Sequence, residues 1–203
     1  MEADGTVFVV DDDASVRRSL ARLIESVGRP FQTFSTAKEF MDAYDPATPG
    51  CLVLDVRMPG ISGIELQKQL AGKGINIPII IITGHGDIPM AADAMRRGAV
   101  DFMEKPVSPQ LLLDRVQQAL SQDFDNRQIK AERDDLATRV TRLTQRERQV
   151  VDLAITGMTN KQIATQLGVS PQAIDAHRAK AMSKMHANNV PELVKLMVKT
   201  GVG

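Results

Sequence analysis

Short apolar runs alternate with helix-like segments through the first 120 residues, and this alternation restricts the fold more than any other feature of the chain. Residues 79–82 are apolar at every position, as in a strand buried on both faces. Repeated strand–helix units predict an α/β fold, doubly wound around a five-stranded parallel sheet. The predicted strands are Val7–Val10, Phe31–Phe34, Cys51–Leu54, Ile79–Ile82 and Asp101–Glu104, and the predicted helices are Ser15–Val27, Ala37–Tyr44, Ser62–Ala71, Pro89–Arg97 and Pro109–Leu120.

The pattern changes after Leu120. Residues 121–142 contain no Gly or Pro and are rich in charged side chains, which predicts a helical linker. Three apolar residues, Ile129, Leu136 and Leu143, recur at intervals of seven. Such a repeat is typical of a helix that pairs weakly with a second copy, but a solvated linker helix explains the segment equally well.

From Thr144 onward the sequence shows helical signals only. Thr144 and Glu147 have the spacing of a capping box, Asn160 is a candidate cap, and Ser170 precedes a proline as helix caps often do. A glycine at 168 separates two short predicted helices, which predicts a helix-turn-helix in an all-α, four-helix domain. We therefore expect an α/β domain over 1–122, a linker over 123–139 and the helical domain over 140–203.

Composition places few limits on function but several on location. The chain of 203 residues is 43% hydrophobic and 25% charged, as in ordinary globular proteins. Met1–Gly5 lacks the pattern of a signal peptide, and no apolar run approaches the roughly 18 residues that cross a bilayer. The single cysteine, Cys51, excludes an internal disulfide and fits a buried strand position in a reducing compartment. These features favour a cytoplasmic protein without a membrane partner.

The formal net charge of zero conceals two regions of opposite charge. Residues 1–122 carry 12 Lys and Arg against 16 Asp and Glu, whereas residues 139–203 carry 10 against 4. A basic C-terminal region favours a nucleic-acid partner for that end of the chain.

Polar side chains follow four of the five predicted strands. Because the carboxyl ends of parallel strands meet at one edge of the sheet, we expect these side chains to share a pocket. Clustered carboxylates suit Mg²⁺, and one carboxylate could then attack a phosphoryl group whose oxygens the ammonium and hydroxyl neutralise. Taken singly the signals are weak, since successive Asp residues also cap helices and Lys-Pro also forms turns. The residues are Asp11, Asp12 and Asp13 after the first strand, Asp55 after the third, Thr83 after the fourth and Lys105 after the fifth.

Residues 1 to about 122 resemble the receiver domain of two-component signalling, which has a flavodoxin-like fold. The resemblance is carried by residues 9–13 (VVDDD), 54–60 (LDVRMPG), 82–84 (ITG) and 105–106 (KP). It implies that Asp55 accepts a phosphoryl group from a phosphohistidine of a sensor histidine kinase. It also implies that Asp12, Asp55 and the backbone carbonyl of Arg57 ligate Mg²⁺, with Asp11 reaching the ion through water.

The same resemblance names the residues that bind phosphate and switch the domain. Lys105 would bind the phosphate, and the bond from Lys105 to Pro106 is expected to be cis. Thr83 would move toward the phosphate. Many receivers carry Tyr at the position of Phe102, and this residue would either follow Thr83 inward or remain an ordinary residue of the hydrophobic core. Residues 84–87 (GHGD) narrow the resemblance to the FixJ-like subgroup, and His85 is expected in an exposed loop rather than as a metal ligand.

Residues of the basic tail resemble the LuxR-type four-helix DNA-binding domain. The resemblance is carried by residues 143–147 (LTQRE), 157–164 (GMTNKQIA), 167–170 (LGVS), 177–178 (HR), 184–185 (KM) and 193–194 (LV). It implies a recognition helix from Pro171 to about Met185, with Ile174, Ala181 and Met185 on its core side. Many relatives carry Lys in place of Asp175, and a carboxylate there would accept from the amino group of cytosine. The implied DNA-binding residues are Asp175, Ala176 and Ala179 near base edges, Lys161, Arg178, Lys180 and Lys184 near phosphates, and Gln172.

Together the two resemblances identify the chain as similar to the NarL/FixJ family of response regulators. They imply a phosphorylation-dependent regulator that dimerises through the face of the fourth helix, fifth strand and fifth helix, binds promoter DNA and activates transcription with RNA polymerase. It would catalyse only its own phosphoryl transfer and dephosphorylation. Two alternatives are a Mg²⁺-dependent phosphohydrolase and an adaptor that is never phosphorylated.

Overall fold

The computed structural model describes residues 5–84 and 88–199, and the chain divides into two compact units, Met1–Arg127 and Gln128–Gly203. The strands are β1 (Thr6–Val10), β2 (Phe31–Phe34), β3 (Gly50–Asp55), β4 (Ile79–Thr83) and β5 (Asp101–Glu104). The helices of the first unit are α1 (Ala14–Ser26), α2 (Ala37–Ala43), α3 (Gly63–Gly72) and α4 (Ile88–Arg96), followed by α5 (Pro109–Thr141), which runs on into the second. The remaining helices are α6 (Gln145–Ile155), α7 (Asn160–Leu167), α8 (Pro171–Met185) and α9 (Val190–Lys199).

The strands form one parallel sheet in the order β2-β1-β3-β4-β5, which confirms the predicted doubly wound fold. The strand order reverses between β1 and β3, where α/β sheets open a crevice at their carboxyl ends. Asp11 directly follows β1, and Asp55 is the last residue of β3. The topology therefore brings these two carboxylates to the same crevice.

Both faces of the sheet are covered, as the continuous apolar runs predicted. Alternate strand residues such as Phe8 and Leu52 join helices α2, α3 and α4 in one buried cluster. The intervening residues, such as Val9 and Val53, join α1 and α5 in the other. Cys51 lies in this second cluster, and burial raises the pKa of its thiol to about 12.

Helix α5 runs without a break to Thr141, so the predicted fifth helix and the predicted helical linker form one continuous helix. Asp123 is buried and accepts hydrogen bonds from the backbone N–H of Gly50 (2.9 Å) and from Nε of Arg127 (2.7 Å). Arg127 in turn donates to the carbonyls of residues 46, 47 and 48. These bonds extend the packing of the first unit beyond the last apolar residue, so a hydrophobic pattern could not show where it ends.

The second unit is built from the predicted four helices, α6 to α9, with two buried apolar clusters. The side chains of Ile174, Ala181 and Met185 are fully buried, which confirms the predicted core side of α8. Gly168 ends α7 with φ of +65°, a conformation that glycine adopts without steric cost, and so allows the sharp turn into α8. Leu143 of the seven-residue repeat packs against one of these clusters, and the side chain of Ile129 is half exposed.

Within the described residues no helix combines the length and apolar content needed to cross a membrane. The predicted exposure of His85 concerns a residue that lies outside the described ranges.

Gly63 provides a test of how closely α3 packs beneath the acidic crevice. A Cβ at this position would lie 2.2 Å from the backbone oxygen of Asp55, closer than real contacts allow. We expect Gly63→Ala to lower the free energy of unfolding by about 2 kcal/mol, as measured by urea denaturation. Gly72→Ala is the matched control at the other end of the same helix, because a Cβ there meets nothing within 4 Å, and it should leave stability unchanged or slightly higher. Equal stability of the two variants would show that the close approach of Gly63 to the backbone of Asp55 does not limit which residue can occupy position 63.

Candidate functional site

An ammonium group lies between two buried carboxylates at the carboxyl end of the sheet. Lys105, which directly follows β5, donates from Nζ to Oδ2 of Asp11 (2.6 Å) and to Oδ1 of Asp55 (2.8 Å). Asp11 is fully buried and Asp55 is 4% exposed. Two buried carboxylates in one crevice would repel each other, and the shared cation offsets that repulsion.

Burial and hydrogen bonding act in opposite directions on this cluster. Burial raises the pKa of Asp55 above its ordinary value, although the hydrogen bond from Lys105 partly offsets the effect. For Lys105 burial favours the neutral amine, but the hydrogen bonds to Asp11 and Asp55 outweigh it and raise the pKa. The crevice therefore holds a partly desolvated carboxylate beside a fixed cation, an arrangement suited to an anionic group bound at Asp55.

The three successive acidic residues after β1 have different surroundings. Asp11 points into the crevice, where its Oδ1 accepts from the backbone N–H of Asp13 (2.9 Å). Asp13 is the N-cap of α1 and accepts from the backbone N–H of Ser15 (2.7 Å), which holds its pKa below the usual range. The helix-capping alternative therefore holds for Asp13. Asp12 is exposed, and within the described residues no group of three or more His, Cys, Asp or Glu side chains is close enough to hold a metal.

The other predicted residues of this site lie around the crevice. Thr83 is fully buried at the end of β4, and Phe102 on β5 packs, partly buried, against the cluster that includes α3 and α4. The peptide bond from Lys105 to Pro106 is cis, as the receiver resemblance implies. Arg57, whose backbone carbonyl was predicted to ligate Mg²⁺, is an exposed residue that lies after β3.

Sequence reasoning missed one side chain that holds the crevice in place. Arg17 on α1 donates from a terminal guanidinium nitrogen to the backbone carbonyl of Asp11 (2.6 Å). This bond fixes the turn between β1 and α1, but a lone Arg on an amphipathic helix gives no signal that distinguishes it from a solvated residue.

A second group of predicted residues lies on α7 and α8 of the C-terminal unit. Most of them are exposed, and Arg178 and Lys184 are half-buried because each contacts a polar neighbour. The exposed members are Lys161, Gln172, Asp175, Ala176, Ala179 and Lys180. The structure thus presents a mixed polar face on α8, opposite its buried apolar side.

Lys184 has a structural role that the sequence did not indicate. Its Nζ donates to Oε2 of Glu147 (2.7 Å) and to the carbonyl of Arg142 (3.1 Å). Glu147 is 2% exposed and closes the predicted capping box with Thr144 at the start of α6. Burial alone would raise the pKa of Glu147, but the hydrogen bonds from Lys184 and Thr144 lower it below its ordinary value.

Asn160 is also placed differently from the prediction. The cap of α7 is Thr159, which forms a capping box with Gln162, and Asn160 is the first helical residue. Its side-chain amide is thereby free to reach α8, where its NH₂ donates to Asp175 and its oxygen accepts from Arg178.

Two family models match the chain, one over each unit. Residues 7–117 match the response regulator receiver domain, and residues 141–197 match the LuxR family of bacterial regulatory proteins. The chain belongs to the response regulators. Its receiver domain and its LuxR-type domain stand in the order that the sequence predicted.

Relatives of this response regulator are similar along nearly the whole chain. The transcriptional regulatory protein FixJ of Bradyrhizobium diazoefficiens is 43% identical over 202 residues, covering 100% of this chain and 98% of the relative. The response regulator protein TodT of Pseudomonas putida F1 is 38% identical over 190 residues, covering 94% of this chain and 84% of TodT. These relatives and the two domain families show that the protein is a phosphorylation-dependent, DNA-binding transcriptional regulator.

Solved structures of response regulators give the same result. StyR is 46% identical, with a TM-score of 0.88 over 97% of this chain and 100% of StyR. Full-length FixJ from B. japonicum is 43% identical, with a TM-score of 0.59 over 98% of each chain. Receiver domains of this kind typically bind Mg²⁺ at an acidic pocket.

The ion pair between Lys184 and Glu147 should stabilise the start of α6 in this response regulator. Lys184→Met leaves a buried carboxylate without its cation, and we expect the free energy of locally opening α6 to fall by about 2 kcal/mol. Hydrogen exchange of the α6 amides in the full-length protein measures it. Arg148→Met is the control, because its ion pair with Asp152 is exposed (31% and 49%) and should contribute less than about 0.5 kcal/mol.

The effect of Lys184→Met should also depend on pH in a defined direction. Because the pKa of Glu147 is lowered on folding, its stabilisation is present above the ordinary value of 4.5 and is lost as the pH falls through the lower folded-state pKa. The difference between wild type and variant should therefore shrink on acidification. A stability difference between wild type and variant that grows in acid would contradict the role assigned to the ion pair of Lys184 with Glu147.

Proposed function

We propose that Asp55 is the residue of this regulator that accepts a phosphoryl group from a phosphohistidine of a sensor histidine kinase. The observation that carries the proposal is the contact of Lys105 with both Asp55 and Asp11 at the sheet edge. A cation held within hydrogen-bond distance of a buried carboxylate can neutralise the negative charge that a phosphoryl group brings to it.

The transfer requires one bond to form and one to break. A carboxylate oxygen of Asp55 attacks the phosphorus atom, the bond from phosphorus to the histidine nitrogen breaks, and the nitrogen keeps the electron pair. The product is an acyl phosphate on Asp55. The ammonium of Lys105 then binds a phosphoryl oxygen, and the buried hydroxyl of Thr83, at the end of the adjacent strand, donates to another. Beyond this transfer and the hydrolysis of its own acyl phosphate, the protein catalyses no reaction.

The donor set at the crevice fits Mg²⁺, which prefers oxygen ligands. The carboxylates of Asp11 and Asp55 already lie beside a shared cation, and Asp12 adds an exposed carboxylate one residue away. We propose that Asp12, Asp55 and the carbonyl of Arg57 hold the ion, with Asp11 reaching it through water. The bound ion would supply positive charge to the phosphoryl oxygens.

The same proposal extends to dimer formation. Thr83 and Phe102 belong to neighbouring strands, β4 and β5, so a movement of Thr83 toward the phosphate can alter the packing of Phe102.

Large apolar side chains are exposed on the adjoining helices, at Met95 of α4 (45%) and Leu111 of α5 (42%). Solvated apolar groups of this size favour a second copy as partner, because pairing removes them from water.

Phosphorylated dimers would bind a promoter through two C-terminal domains at once. Pairing two DNA-reading modules raises the affinity through effective concentration, without any new contact to a base. In this proposal residues 1–122 form the receiver, 123–139 the linker and 140–203 the DNA-binding domain. Double-stranded DNA then contacts the predicted residues of α7 and α8, and the protein activates transcription in the cytoplasm together with RNA polymerase.

The phosphorylation site is tested with Asp55→Asn, in which the amide cannot form an acyl phosphate. Incubated with a small acyl-phosphate donor and Mg²⁺, the wild type should incorporate one phosphoryl group per chain, and the variant should incorporate none. Intact-protein mass spectrometry measures the added mass. The matched control is Asp13→Asn, since Asn is an equally good cap for α1 and this variant should incorporate phosphate normally. Phosphate on Asp55→Asn, or none on the wild type, would refute the proposal.

The dimer face is tested with Met95→Glu, which places a charge on the exposed apolar face of α4. We expect the phosphorylated variant to remain monomeric in analytical ultracentrifugation at protein concentrations where the phosphorylated wild type is dimeric. Val27→Glu is the control, because Val27 is exposed to the same extent (48%) but lies at the end of α1. A phosphorylated Met95→Glu that dimerises like the wild type would exclude this face.

A further inference from the structure

The amide of Asn160 lies between two oppositely charged residues of α8. Its NH₂ donates to Oδ1 of Asp175, and its oxygen accepts from a terminal nitrogen of Arg178. The reversed amide would set oxygen against carboxylate and NH₂ against guanidinium, so the two neighbours fix which way the amide points. A side chain at the first turn of α7 therefore determines the surroundings of two residues on α8.

Asp175 and Arg178 are three residues apart on one helix, the spacing at which opposite charges commonly pair directly. In the described part of the chain they do not form a direct ion pair, and each binds Asn160 instead. The Nε of Arg178 is buried without a hydrogen-bond partner, so the guanidinium binds Asn160 through a terminal nitrogen only. Asn160 thus keeps the carboxylate and the guanidinium apart.

The interposed amide leaves Asp175 partly available. One carboxylate oxygen is occupied by Asn160, whereas Oδ2 accepts no hydrogen bond from any described residue, and the side chain is exposed. A direct pair with Arg178 would occupy the carboxylate with a guanidinium and reduce its capacity to accept from a ligand. An oriented acceptor on the exposed side of α8 has the chemistry to bind the amino group of cytosine in the major groove.

We propose that Asn160 is a positioning residue for base recognition, which holds Asp175 ready to accept from cytosine N4 and prevents it from pairing with Arg178. The inference rests on the proposed binding of double-stranded DNA by the residues of α7 and α8. It makes the preference for cytosine at one position of the half-site depend on a residue of α7 that itself touches no base.

The test is selection of bound sequences from random double-stranded DNA by the phosphorylated full-length protein at one fixed salt concentration. We expect the wild type to prefer cytosine at one half-site position by roughly tenfold. In Asn160→Ala the carboxylate and guanidinium can pair directly, and this preference should fall to about twofold while the remaining positions of the motif are unchanged.

A second variant separates positioning from folding. Asn160→Asp keeps the acceptor for Arg178 but replaces the donor to Asp175 with a repelling carboxylate, and an acid at the first turn of α7 favours the helix. It should remain folded and lose the same cytosine preference. Gln162→Ala is the structural control, because it removes the capping box of α7 and leaves the amide of Asn160 in place. It should lower the stability of α7 without changing base preference.

The decisive comparison uses the Asp175→Ala background, in which Asn160 has no carboxylate left to position. There Asn160→Ala should cause no further change in base preference, since the two residues act on the same contact. The inference is overturned if Asn160→Ala and Asn160→Asp retain the full cytosine preference, if Gln162→Ala loses it equally, or if the selected motif contains no such position. A wild type that selects no sequence at all would instead refute the proposed promoter binding.

Discussion

The receiver domain depends on one cation shared by two buried carboxylates. Asp11 and Asp55 are brought together by the parallel sheet, and without Lys105 their charges would oppose the packing that places them there. Burying a carboxylate is costly unless it is paired, so the crevice is stable only while a cation occupies it. In the proposed function, a phosphoryl group transferred to Asp55 would meet a cation that already lies within hydrogen-bond distance of the accepting carboxylate.

The parts of this arrangement that follow a topological rule could be predicted from the sequence. Every parallel strand ends at the same edge, so Asp11, Asp55 and Lys105 could be assigned to one pocket, although 94 residues separate Asp11 from Lys105. The strand bounds were likewise predicted to within one residue, because short runs rich in β-branched and aromatic residues, set between turn residues, favour strands over helices. What the rule could not give is which of the three Asp residues at 11–13 enters the pocket, since that depends on the turn into α1, where Asp13 is used as a cap.

Contacts between polar side chains distant in sequence were not predictable. Asp123 and Arg127 fasten α5 to a loop some 80 residues earlier, and Lys184 reaches Glu147 across 37 residues. Each of these residues looks like an ordinary charged residue on a helix surface. Hydrophobic periodicity reports which face of a helix is buried by apolar contact, and it carries no information on burial by hydrogen bonds. For this reason the hydrogen bonds of Asp123 and Arg127 were not predicted, whereas the buried side of α8 was predicted correctly.

In the C-terminal domain, polar contacts of this kind limit what the net charge indicates about DNA binding. The excess of basic residues from Arg139 onward favoured a nucleic-acid partner, but several of these cations are occupied within the domain. Arg148 pairs with Asp152, Lys184 with Glu147, and Arg139 with Asp135 and the carbonyl at the end of α8. In the part of the chain that the structure describes, five other cations of this region are exposed and form no ion pair, namely Arg142, Arg146, Lys161, Lys180 and Lys195. Since each phosphate contact adds separately to the salt dependence of binding, that dependence should reflect this smaller free set rather than the formal charge of the domain.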